Sequence, residues 1–297
     1  MIYGLVAAFG WGLSDLWAAI AGRRMGSGRT VVIAQVAAAA IVSLIVVLAR
    51  PDMSELGTVI PWLIPNAFLG AAAFATLYRG LQLGPVHVVS PILASYAVVP
   101  VLLSVVLLGE SLGGVQVLGV AVTIAGAMLT STDVREIRSQ TRRRIEGLRW
   151  AIVSTLLFGV ATYIMGWASK EAGFLPSLWF GRLSMMTVFL VAALIVWLRS
   201  RDPGGRPRAP SQGPQAGVRV RSAVGLAVAV GVVELVGTIA YARGAEVGLV
   251  SIVTAASATY PLVPVFGGVL VLEERPAPNQ YLGVAMVVGG LVLLGVA

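Results

Sequence analysis

Thirteen acidic side chains are spread over 297 residues, and two of them stand where an acid is expensive. Asp15 lies inside the first long apolar stretch, beside Ser14 and between Trp11 and Trp17. Glu234 lies in the middle of another, between Val233 and Leu235. An ionised carboxylate at the centre of a bilayer costs about 2.5–3.5 kcal/mol by insertion scales, so such a group marks an ion or substrate path by default. The chemistry open to these acids is proton or cation binding in a cavity. The competing reading of Asp15 is a helix-end charge satisfied by Arg23 or by water. For Glu234 it is an ion pair with Arg182, a reading compatible with function. Arg182 could hold a substrate carboxylate through its forked donors, or serve as the structural partner of Glu234.

Tyrosines form the next group. Tyr96 and Tyr260 each precede a proline, Pro100 or Pro264, by four residues. A proline frees the carbonyl one turn back and loosens the helix there, so both prolines are candidate hinges. A tyrosine at that level could line a cavity and donate a hydrogen bond, or pack between helices. Trp11, Tyr163, Trp167 and Tyr241 are further candidates for an aromatic pocket, against an alternative place in the interfacial aromatic belt. Glu110 and Glu274 sit at hairpin ends, just before a new helix, and read as caps of exposed amides. Gly119 and Gly126, like Gly283 and Gly290, are seven residues apart on one helix face and read as close-packing positions. The sequence has no phosphate loop, nucleophile triad or metal cluster. It has no cysteine and one histidine, His87. No cofactor is expected.

The elements that position these residues repeat. Arg79-Gly80-Leu81-Gln82-Leu83-Gly84 returns as Arg243-Gly244-Ala245-Glu246-Val247-Gly248, an offset of 164 residues. The same ungapped offset pairs Tyr96 with Tyr260, Pro100 with Pro264, Glu110 with Glu274 and Gln116 with Gln280. Phe9-Gly10 reappears as Phe158-Gly159 at an offset of 149. Only 11% of residues are charged, against about 25% in soluble domains, and apolar stretches near the ~20 residues of a spanning helix recur throughout. The opening stretch contains Asp15 and lacks a preceding basic region, so it reads as a span and not as a cleavable leader. Ten spans are expected, at about 2–21, 30–49, 57–82, 86–108, 113–131, 148–169, 174–198, 222–243, 249–272 and 277–297.

The expected fold is therefore all-α and membrane-integral, with ten transmembrane helices. Residues 1–131 form one five-helix repeat and 148–297 the second. A basic linker, 132–147, joins them, and 199–221 is a disordered loop. An odd number of spans per half inverts the second half relative to the first. The net charge of +8 resides in loop arginines. It argues for anionic lipid headgroups as partners and against nucleic acid.

Taken together, the duplicated hairpin turns (Gly84-Pro85-Val86 and Gly248-Leu249-Val250), the proline-bearing helices after them, and the glycine-rich final helices resemble the ten-helix drug/metabolite transporter superfamily of the EamA type. Trp11-Gly12 and Arg182 share in the resemblance. It implies export or exchange of a small metabolite or drug through a central cavity, without a nucleotide. The sequence thus reads as a secondary transporter of the cell membrane, not an enzyme, with its site among Trp11, Ser14, Asp15, Tyr96, Tyr163, Arg182, Glu234, Tyr241 and Tyr260. A lipid-carrier flippase of the same fold is the alternative, and a membrane enzyme on a lipid-linked substrate a more distant one. A monomer is compatible with the sequence. The loop arginines fall mostly on one side, which by the positive-inside rule puts both termini outside the cytoplasm. The resemblance implies the reverse.

Overall fold

The computed structural model describes residues 1–83, 92–132, 141–200, 220–272 and 277–296. Helices account for nearly all of them, and no strand occurs among the described residues. In the first part of the chain are α1 (Ile2–Met25), α2 (Ser27–Ala49), α3 (Leu56–Leu83), a 3-10 turn (Ser95–Ala97), α4 (Val98–Leu107) and α5 (Gly114–Thr130). There follow α6 (Thr141–Ala172), α7 (Phe174–Ser200), α8 (Val220–Val247), α9 (Val250–Ser257), α10 (Leu262–Leu272) and α11 (Pro278–Val296). Eight stretches are long and apolar enough to cross a membrane; Ile92–Leu107 and Gly114–Thr130 are shorter apolar stretches of the same kind. Helices dominate because lipid offers backbone N–H and C=O groups no other partner. Side chains such as Val47, Leu48, Phe68, Leu102, Val106 and Val292 point outward, fully apolar.

One departure concerns a linker. α6 begins at Thr141, inside the segment read as a linker over 132–147. Most of the loop expected over 199–221 lies outside the described residues, as do His87 and Glu274.

The helices meet through glycines. A Cβ at Gly119 would lie 3.1 Å from the Gly290 carbonyl, and one at Gly126 would lie 2.8 Å from the Gly283 carbonyl. As the number rises on α5 it falls on α11, so these two helices, matched by the 164-residue offset, run antiparallel. α1 packs on α8 and α3 on α6, with Gly10 against Gly237 at the first of these contacts. α2 touches α8, and α3 touches α7.

Two of the apolar stretches are broken by turns. The 3-10 turn at Ser95–Ala97 precedes Pro100, and a turn over 258–261 precedes Pro264. Proline has no N–H for the carbonyl four residues earlier, here Tyr96 or Tyr260. The Tyr260 carbonyl instead accepts the amide of Val263 at 3.1 Å. Each of these carbonyls faces a glycine on the leading helix of the opposite half. A Cβ on Gly12 would sit 2.5 Å from the Tyr260 oxygen, and one on Gly159 would sit 3.0 Å from the Tyr96 oxygen. The contact equivalent of Gly159 is thus Gly12, not Gly10, which moves the early offset from 149 to 147.

Glu110 does not cap the helix that follows it. Gln116 does that, its Oε1 accepting the Gly113 amide at 2.9 Å, and Gln280 repeats the bond with Ala277 at 2.8 Å. Glu110 reaches instead to the start of α9. It accepts the Val250 amide (2.7 Å), the Ser251 amide (3.0 Å) and the Ser251 hydroxyl (2.7 Å), and pairs with Lys170 at 3.2 Å. Burial raises the Glu110 carboxyl, but the bonds from Ser251, Val250 and Lys170 outweigh it and hold the group below its ordinary value. This stabilisation is complete above the ordinary carboxylate value and disappears as pH falls through the lower, folded one. Glu110→Gln strands at least one buried amide of α9, at about 1–3 kcal/mol each. Thermal unfolding of the purified protein should show that loss at neutral pH, and the gap to wild type should narrow in strong acid.

Candidate functional site

On α8, Glu234, Thr238 and Tyr241 fall at i, i+4 and i+7, one helical face. On α1, Trp11, Ser14 and Asp15 share a face by the same rule. The Gly10–Gly237 contact brings these two faces together, and Arg182 enters from α7. The three meet around a cavity of about 320 Å³ whose walls also include Asn66 and Phe74 of α3 and Phe158, Thr162 and Met165 of α6.

Arg182 is 7% exposed, and both of its terminal nitrogens are engaged. Its guanidinium grips Glu234 in a fork, Nη1 to Oε2 at 2.8 Å and Nη2 to Oε1 at 2.9 Å. Nη1 also donates to Gln35 Oε1 at 2.9 Å, and Nη2 to Thr238 Oγ1 at 3.3 Å. The Thr238 hydroxyl donates to Glu234 Oε1 at 2.8 Å and accepts the Trp11 indole N–H at 3.2 Å. One network therefore links α1, α2, α7 and α8.

Asp15 stands apart from it. It opens onto the cavity and forms no ion pair or hydrogen bond among the described residues. It lies within electrostatic reach of Glu234, Tyr96 and Tyr260. The neighbouring Ser14 hydroxyl is turned back onto the Trp11 carbonyl at 2.8 Å.

The aromatic side chains are held in place. The Trp11 and Tyr241 rings are 5.6 Å apart, and those of Tyr96 and Tyr260 are 6.3 Å apart. Tyr241 donates to the Thr162 carbonyl at 3.2 Å, with Thr254 Oγ1 at 3.0 Å; Tyr96 pairs with Ser257 Oγ at 3.2 Å. Phe74 meets Phe158 edge to face at 5.0 Å.

The structure thus gathers Trp11, Ser14, Asp15, Tyr96, Arg182, Glu234, Tyr241 and Tyr260 around one cavity. Tyr163 is not among its walls, a correction to the sequence reading. α6 presents Ala161, Thr162 and Met165 to the cavity, and Tyr163 lies one position round the helix, towards Glu110. Trp167 meets Trp62 edge to face at 5.9 Å and is likewise outside the lining. Pro100 lies in α4 and Pro264 in α10, each just past a helix break. The sequence reading passed over Gln35, Asn66 and Thr238. All three are polar residues inside apolar spans, and Thr238 stands one turn from Glu234, so the rule that singled out Asp15 would have found them.

A family model described as the EamA-like transporter family matches residues 1–132 and 145–296. No curated protein matches the chain. One crystal structure superposes with a TM-score of 0.76 over 99% of this chain and 96% of its own, at 15% identity, a likeness of fold alone.

Breaking a buried pair leaves an uncompensated charge, whereas removing both partners does not. Arg182→Gln alone should destabilise the purified protein by about 3 kcal/mol, the low end for a buried pair because Glu234 keeps access to the cavity. Adding Glu234→Gln should recover most of the loss in the same unfolding assay; additive losses would argue against the pair.

Proposed function

Since the chain belongs to the EamA-like transporter family, we propose that this multi-pass membrane transporter is a secondary, ATP-independent exporter of small organic metabolites or drugs, working by alternating access. The observation that carries the reading is the cavity, where α1 and α3 of one half and α6, α7 and α8 of the other converge on three intramembrane charges. Sites of this kind, between repeats and at broken helices, suit transport.

The proposed architecture is ten spans in two inverted five-helix halves. Two observations support it. The packing partners exchange between halves, α1 on α8 and α3 on α6. The matched helices α5 and α11 have an antiparallel register, as inversion requires. Rocking of the halves would bend the chain at the breaks before Pro100 and Pro264, where a ladder bond is already missing.

The proposed coupling is to protons through Asp15. Glu234 is committed to Arg182, so its role is to neutralise that charge and to brace Thr238 and Trp11. The membrane is the cell membrane, the loop arginines bind anionic headgroups, and a monomer suffices. Both termini lie outside the cytoplasm, following the charge count over the family expectation. A C-terminal reporter active only in the cytoplasm should therefore stay silent; activity would reverse the orientation.

The functional test uses protein reconstituted in liposomes. Asp15→Asn should fold and lose pH-driven solute movement. Unchanged pH dependence in this variant would refute proton coupling at Asp15.

A further inference from the structure

The cavity walls contain two acids and one base, apart from tyrosines: Asp15, Glu234 and Arg182. Arg182 is spent on Glu234 through both carboxylate oxygens. With the acids ionised, the cavity therefore carries one net negative charge, and it resides at Asp15. A lone carboxylate inside a span is tolerated where water, a partner or a ligand reaches it, and Asp15 is exposed to the cavity.

What surrounds Asp15 selects among cations. No cluster of three or more metal-ligating side chains occurs among the described residues. The walls near Asp15 are instead aromatic: Trp11, Tyr96 and Tyr260. Ring faces attract ammonium groups, best when water is excluded. The remaining wall, with Phe74 and Phe158, is apolar, and the cavity falls at the small end of ligand sites. Asn66 adds a second polar point. It is 9% exposed, lines the cavity, and its Oδ1 has no hydrogen-bond partner. A buried acceptor left unpaired is costly unless a ligand completes it.

We propose that the solute is a small monovalent organic ammonium: the amine rests on Asp15 among Trp11, Tyr96 and Tyr260, the body lies on the apolar wall, and a second N–H or O–H donor bonds to Asn66. This rests on the transporter reading and names its substrate class. The cation and the proton then compete for one carboxylate. The other titratable groups that line the same cavity are Glu234 and Tyr241 on α8, Arg182 on α7, and Tyr96 and Tyr260 at the helix breaks. Both carboxylate oxygens of Glu234 are taken by Arg182, so Glu234 supplies no second cation site.

The test is equilibrium binding to the purified full-length protein in nanodiscs, with probes of one shape and three charges: phenethylamine, phenethyl alcohol and 3-phenylpropionate. The amine should bind at least about tenfold tighter than the other two at mildly alkaline pH, and should weaken as the pH is lowered. Asp15→Asn should lose that preference and its pH dependence, while Asp15→Glu should retain the preference. Tyramine, with its second donor, should bind tighter than phenethylamine, and Asn66→Ala should erase the difference. Equal binding of alcohol or acid, or wild-type amine affinity in Asp15→Asn, overturns the ammonium assignment. A tyramine advantage that is absent, or that survives in Asn66→Ala, overturns the role of Asn66. Liposome exchange of an anion or zwitterion without any cation would sink this inference but leave the transporter standing. No exchange of any solute would sink the transporter reading itself.

Discussion

A guanidinium with 7% of its surface exposed, between apolar helices, is the constraint around which the site is built. Arg182 cannot lose its charge, and lipid cannot solvate it. Its donors call for protein partners, and its two terminal nitrogens find them in Glu234, Gln35 and Thr238. Those acceptors come from two further helices, α2 and α8, and Thr238 passes the connection to Trp11 on α1. The hydroxyl of Thr238 is saturated, giving one hydrogen bond and accepting two. The ion pair thereby positions the aromatic wall as well as neutralising itself. It also leaves Asp15 as the acid in the cavity with nothing to balance it.

The rest of the fold holds this network against two interrupted helices. Pro100 and Pro264 remove the amides that would have served Tyr96 and Tyr260, and the tyrosines end up at the breaks, beside the cavity. Gly12 and Gly159 let α1 and α6 lie directly on the carbonyls of those tyrosines. Glu110 supplies the start of α9 with acceptors from the other half of the chain. Each interruption is thus closed by a residue from the opposite half, so the halves cannot separate without exposing backbone groups. Where these contacts slide, the matched prolines are the places at which the chain can bend.

Much of this was legible in the sequence. Length, low charge and the duplicated apolar pattern pointed to a helical membrane protein. The matched prolines marked the breaks, and cost in lipid marked Asp15, Glu234 and Arg182. The pairing of Arg182 with Glu234 was foreseen as one of two readings. What was not legible depended on rotation and reach. Tyr163 and Thr162 are adjacent, and a hundred degrees of helix turn separates the lining residue from the one facing Glu110. Glu110 reads as a cap from its hairpin position, but its partner is set by the packing of distant helices. Gln116 and Gln280 perform the local capping, and a glutamine three residues into a helix was the available signal. The early repeat offset was off by two residues because a Phe-Gly match is short, whereas the glycine contacts fix the register.

Arg182 and Glu234 form a closed pair, which leaves Asp15 as the acid proposed to bind the proton or the cation. Infrared difference spectroscopy of the reconstituted protein, titrated with and without a cationic solute, tests this most directly because it detects carboxyl protonation and the variants assign each band. The account predicts one cavity carboxyl band that follows pH, shifts when the cation binds, vanishes in Asp15→Asn and persists in Glu234→Gln. A band that vanishes in Glu234→Gln and persists in Asp15→Asn would contradict it.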